Sequence, residues 1–510
     1  MSRRKRAAFL GLVSTICAGS PSANAAVHDS FWLGGNGDWN TAANWSEGVV
    51  PQNTASDQYN AYINTASNVS LAGGTVSLNS FSIGAPGQLA MTASGKMLLT
   101  AAGNVDGSVS LASSCTFQVG ANQTISGSGT FSCLASGSTV RASMGTLTLS
   151  PGLTIHGRGA VGTINGPLIN RATITADAPD AVLTVVGSGI TNTGTLAATN
   201  SGILALAGSY TTAGLGDVSI TGGKVRITGT LDNTGHTLTI ANTSSWELGG
   251  TIVGGTLTTL PGAELITIPT VTKVPTGTLD NVILNGTAHV DYQFGSTVLS
   301  FPHGIHGSGK VIMSGLGAYL DVAGGDSNAP SIIDPGITVS GEGYFGATRL
   351  NNHGRIRAAA GKTLQVSNSF APLLSDGVLE LVSAAKLQTG DLSLGNGGAL
   401  EVELNTDSPG LLQVLGNLDL SGEDYLTIRS LIARQSPTLI ATYQGTLTGV
   451  FDHVTPGYSV TYGGGFVFLN GVPEPSGLMV GSLAGALVAG GRMRRSFVTT
   501  RRGGRGAVSE

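Results

Sequence analysis

The chain has 510 residues, 41% of them apolar but only 5% aromatic and 11% charged, with 78 glycines. Residues 26–473 carry 15 basic against 27 acidic groups, a net charge of −12. That balance excludes nucleic-acid binding, which needs a basic surface to displace counterions, and the apolar content excludes a disordered chain. Residues 1–25 open the chain as a secretory signal: Arg3, Arg4, Lys5 and Arg6 form a basic start, Ala7 to Gly19 is apolar, and Ala23-Asn24-Ala25 meets the small-x-small rule. Cleavage is expected between Ala25 and Ala26. Ile16 stands where a lipidation signal needs a small residue, so Cys17 is not expected to carry lipid.

Residues 26–69 follow as a Trp/Gly-rich segment, with Trp32, Trp39 and Trp45 close together. They are expected to plug the open end of a repetitive body, the competing reading being exposed faces for sugar stacking. Residues 70–398 alternate polar and apolar in short runs, as in Thr146-Leu147-Thr148-Leu149 and Thr237-Leu238-Thr239-Ile240. Alternation of this kind marks strands with one buried face, and strands this short must stack on similar neighbours. A Gly-x-Gly element recurs four times, at Gly127/Gly129, Gly157/Gly159, Gly307/Gly309 and Gly341/Gly343. Each copy follows a β-branched residue and a polar one, and precedes a second strand. Asn192-Thr193-Gly194, Asn233-Thr234-Gly235 and Asn352-His353-Gly354 form a weaker repeat, expected at corners because Asn and Gly tolerate left-handed backbone. The expected fold is all-β: a parallel β-helix with β caps, a signal helix at its start and a transmembrane sorting helix at its end. Tandem antiparallel β-sandwiches are the alternative. The texture of residues 70–400 resembles autotransporter passenger-like repeats, which implies an extended surface protein. Residues 399–471 resemble the last module of such proteins and are expected to form a C-terminal β cap. No barrel-type pattern follows, so self-transport is not expected.

Pro473-Glu474-Pro475 comes next, then the chargeless apolar stretch Gly477 to Gly491, then Arg492, Arg494 and Arg495. Motif, apolar stretch and Arg cluster in this order resemble a PEP-CTERM sorting signal over residues 472–495, with 496–510 as a basic tail. The resemblance implies recognition by an exosortase-type membrane transpeptidase. The apolar stretch falls short of the roughly 20 residues that span a bilayer as a helix, so insertion into the inner membrane is expected to be transient, with the Arg cluster cytoplasmic.

Chemistry is hard to find. His303 and His306 form the one close histidine pair, and a metal site needs further ligands. His156 and His306 occupy a slot that Ser126 and Ser340 fill in other copies, which favours a polar turn position. Asp321, Asp326 and Glu342 could gather on one face, as carboxylates of polysaccharide-cleaving enzymes do, but scattered surface acids are the expectation. No catalytic residue, metal site or cofactor is expected, and the chain is read as non-enzymatic. Cys115 and Cys133 remain after signal removal, in matching sequence contexts. They lie 18 residues apart, close to one turn of a small β-helix, and are expected to form a disulfide or at least to stand within bonding reach. The functional expectation is a protein exported from a Gram-negative-type cell to the surface or extracellular matrix, structural or adhesin-like. Its expected partners are signal peptidase and the exosortase-type enzyme, with extracellular polysaccharide as a further one. The alternative is a carbohydrate-active or polysaccharide-binding β-helix.

Overall fold

Period-two alternation can bury one face of a strand only if another rung lies above and below it, and the chain is wound accordingly. The computed structural model describes residues 25–472, apart from 242–244, 270–275, 293–294, 323–328, 370, 405–407 and 431–436. Strands make up 60% of the structure, wound as a β-solenoid of about 16 turns. At the inter-strand spacing of about 4.8 Å this is a body roughly 75 Å long. Among the described residues, helix is confined to one α-turn, Thr212–Leu215, and one 3-10 turn, Ala42–Asn44.

Each turn feeds parallel ladders along the faces of the body. Inward residues of successive rungs stand directly over one another. One such column passes Val76, Met97, Phe117, Val140 and Val161 in register, and every member is buried. Burying each of these side chains contributes about 1.5–3 kcal/mol, against the entropy of ordering the chain. Turn length is not constant. It is short where Thr338 lies beside its partner Arg355 and much longer where Gly37 lies beside Val69, because loops at the corners absorb the difference.

The Gly-x-Gly elements are sharp corners between faces. The first glycine of each copy has a positive φ, between +107° at Gly157 and +130° at Gly341. A Cβ on Gly341 would also drive into the Met313 carbonyl oxygen of the rung below. The Asn-x-Gly elements act differently from expectation. Asn192, Asn233 and Asn352 do not have positive φ, although Gly235 of the second copy does, at +73°; the three asparagines are buried, and their amides satisfy polar groups at the corners, Asn352 Nδ2 donating to Ser375 Oγ at 3.0 Å while its Oδ1 accepts from Gly354 N at 3.2 Å. Asn192 Nδ2 donates to Leu215 O at 3.0 Å, and Asn192 Oδ1 accepts from Asn170 Nδ2 at 2.7 Å. Asn233 Nδ2 donates to Thr256 O at 2.9 Å.

Both ends are closed. The ladder begins at Ala26–Phe31, paired in parallel with Asp57–Ile63, so residues 26–69 already contain rungs and only the loop that follows the first strand is a plug. In it Trp32, Trp39 and Trp45 are buried. Trp45 stacks edge-on against both others at 5.1 and 4.6 Å, and Trp39 continues the aromatic column to Phe81 at 6.1 Å. At the other end, parallel pairing runs on through Ala399–Leu404 and Tyr425–Ser430 to His453–Val454. The antiparallel cap is therefore shorter than residues 399–471. It is the hairpin of Tyr458–Gly463 and Phe466–Gly471, whose second strand also pairs with Thr438–Tyr443.

Candidate functional site

The segments expected to direct export and sorting contribute little to a described site. Ala26 starts the first strand, its amide donating to Ser56 O at 2.9 Å. Pro473, Glu474, Pro475, Arg492, Arg494 and Arg495 lie outside the described residues, as do residues 1–24 and 496–510. Among the described residues no helix is long and apolar enough to cross a membrane.

The expected stacking of Cys115 on Cys133 is not what the register builds. Cys133 stands over Leu111, as Thr130 stands over Ser108. The turn here is 22 residues, the separation across which Ser128 bonds Asp106 on the neighbouring rung, and the two cysteines lie closer in sequence than that. Cys115 therefore falls further along the lower rung than the position beneath Cys133. Both are buried free thiols, and burial pushes the Cys133 thiol up to about 12. Sugar stacking on the three N-terminal tryptophans is likewise excluded, since their faces are inside.

The charged and imidazole groups organise between rungs rather than into a cluster. Of the eight histidines, seven contact a carboxylate about one turn up or down the body. His303 pairs with Asp280 at 2.9 Å and His306 with Asp334 at 3.1 Å, so the close pair in sequence serves two different acids. Glu342 is held by Lys362 at 3.0 Å, and Asp321 accepts from Ser300 at 3.3 Å; Asp326 lies outside the described residues. Among the described residues no group of three or more metal-ligating side chains could hold an ion.

Two arrays escaped the sequence. Ser132 Oγ is 2.9 Å from His156 Nε2, and His156 Nδ1 is 3.1 Å from Asp177 Oδ2. Ser314 Oγ is 2.8 Å from His289 Nε2, and His289 Nδ1 is 2.9 Å from Glu264 Oε2. The atoms stand in the order of a serine-nucleophile relay, and a groove of about 200 Å³ opens beside Ser132. Acyl transfer also needs free donors aimed at the oxyanion. Ser132 lies mid-strand, paired to Ser110 on one side and His156 on the other, so the ladder takes the amides around it. The same order at two separate places marks a way of tying rungs together. Only the turn lengths, here 24 and 21 residues, could have brought these residues together from sequence.

The densest polar cluster is also a tie. Arg355 Nη1 contacts Glu380 at 2.8 Å and Glu401 at 2.7 Å, while Arg429 Nη2 contacts Glu401 at 2.6 Å. The Glu401 carboxylate, with Glu380, holds the Arg355 guanidinium above its usual range.

One outward column has a different character. Tyr319, Tyr344, Gln365, Gln388 and Gln413 stand in direct register on successive rungs. The two tyrosine rings are near-parallel, 20° apart, with centroids separated by 6.2 Å. Gln388 Nε2 donates to Gln413 Oε1 at 3.0 Å. Tyr344 is 47% exposed, large for an aromatic side chain on a packed face. A shallow groove of about 120 Å³ runs beside Gln365 and Gln388.

No protein-family model matches the chain, and a comparison with curated proteins finds no match.

Proposed function

We propose that the protein is an exported, non-enzymatic structural or adhesin-like component of the cell surface or extracellular matrix, sorted by an exosortase-type system. The observation that carries this reading is the body itself, one solenoid of parallel ladders closed by an aromatic plug and an antiparallel hairpin. In such a body nearly every backbone group is tied to a neighbouring rung, which suits an extended, protease-resistant object outside the cell. The flanking segments agree: a cleavable signal ends at Ala25, where the ladder is about to start, and the Pro-Glu-Pro, apolar and Arg elements follow the last strand. In this reading residues 1–25 form the signal helix and 477–491 a transient membrane helix.

Replacing Pro473, Glu474 and Pro475 together by Ala tests it. The precursor is expected to accumulate unprocessed in the inner membrane, by mass and fractionation, while wild type reaches the surface or medium. A variant matching wild type in both mass and location overturns the sorting reading.

A further inference from the structure

We infer that the outward column Tyr319–Tyr344–Gln365–Gln388–Gln413 is a binding stripe for a neutral, extended polysaccharide. The inference deepens the surface-protein reading and rests on it for its biological setting.

The argument starts from what a ladder interior leaves available. Both edges of each strand are paired to neighbouring rungs, so a partner cannot add a strand here, and recognition falls to side chains. The column's side chains are of two kinds. Tyr rings offer an apolar face with a polar tip, which suits the C–H face of a pyranose. Gln amides carry two donors and an acceptor with two lone pairs, which suits hydroxyls that both give and take hydrogen bonds. The five column residues are themselves uncharged, with Asp321 and Lys386 two positions along the strands of Tyr319 and Gln388, so the column itself selects neither an anionic nor a cationic polymer. Parallel register repeats these groups every 4.8 Å or so, about 19 Å from first to last, a regular track for a regular chain. Space has been left for the rings: at Gly346, beside Tyr344, a Cβ would come within 2.7 Å of Tyr319 Oη. The groove beside Gln365 and Gln388 keeps the amide end of the stripe concave.

The test is native affinity electrophoresis of the purified full chain through gels containing hydroxyethyl cellulose or soluble xylan. Retardation is expected in at least one, insensitive to added salt because no ion pair is involved. Tyr344→Ala and Gln388→Ala should each weaken it about tenfold. Thr184→Ala, outward on another face, should leave it unchanged. Circular dichroism of each variant must match wild type, and Tyr344→Phe, which keeps the ring, should retain binding if the first variant fails to fold. Wild type unretarded by both polymers, retardation abolished by salt, or retardation equal in wild type and Tyr344→Ala overturns the proposal. The assay uses purified protein, so its outcome is independent of whether the tail directs export.

Discussion

Asp424 sits beneath the C-terminal hairpin with both carboxylate oxygens buried and without a hydrogen-bond partner among the described residues. Burial, with the charges of Asp452 and Asp419 nearby, pushes its carboxyl from 3.8 up to about 7. A carboxyl raised in the native state imposes no penalty below pH 4, where folded and unfolded chains are both protonated. The penalty grows as pH rises, because the unfolded chain ionises first, and is complete above pH 7. A rise of that size corresponds to about 4 kcal/mol; allowing for water that reaches the group as it ionises, about 2 kcal/mol should remain. The effect should be local, since a solenoid opens from its ends. Hydrogen exchange of the hairpin strands, corrected for the intrinsic pH dependence of exchange, should show protection falling about 30-fold between pH 3 and pH 8. Asp424→Asn should flatten that dependence while leaving the rungs around residue 200 unaffected. A wild-type change below threefold would mean the carboxyl is solvated. The full slope persisting in Asp424→Asn would assign it to other groups, Asp452 and Asp419 first among them.

Two further outcomes follow from the packing. Gly341→Ala should destabilise by about 3–5 kcal/mol, from a positive φ combined with a clash against backbone that cannot move without opening a ladder. Gly189→Ala, where a Cβ meets nothing within 4 Å, should change stability by less than about 0.5 kcal/mol; equal effects at the two sites would refute the corner argument. Cys115 and Cys133 should both titrate as free thiols once the unreduced protein is unfolded, and neither should react in the native state; a missing pair of thiols would show a bridge and an error in the register.

Local structure was legible and register was not. Alternation in Thr146–Leu149 and Thr237–Ile240 marks real strands, at Leu147–Leu149 and Thr237–Ile240, because burial on one side of a pleat imposes period two wherever it occurs. The Gly-x-Gly corners were legible for a similar reason: a positive φ beside a carbonyl admits only Gly. What failed was counting across turns. Loops stretch the turn from the short step between Thr338 and Arg355 to the long one between Gly37 and Val69, so the spacing of two cysteines in sequence implied a stacking that does not exist. The same variability hid the relay of Ser132, His156 and Asp177 and the column of Tyr319 to Gln413. The Asn-x-Gly corners were located by residue type, but of these residues Gly235 alone uses the left-handed backbone; the asparagines serve through the amide's hydrogen bonds, which a buried corner needs.

The division of labour between columns bears on where a partner could bind. Arg355 and Arg429 share Glu380 and Glu401 across several rungs, and seven histidines already face carboxylates. An acidic or basic polymer docking on those groups would have to displace partners from the protein itself, leaving buried charges such as Glu380 uncompensated, at a cost of several kcal/mol. The uncharged column carries no such penalty: hydrogen bonds exchanged between Gln388, Gln413 and a sugar hydroxyl leave the rungs beneath unchanged. In a body whose interior is set by packing and whose charges tie one turn to the next, neutral outward side chains are the groups that can change partners without loosening the fold.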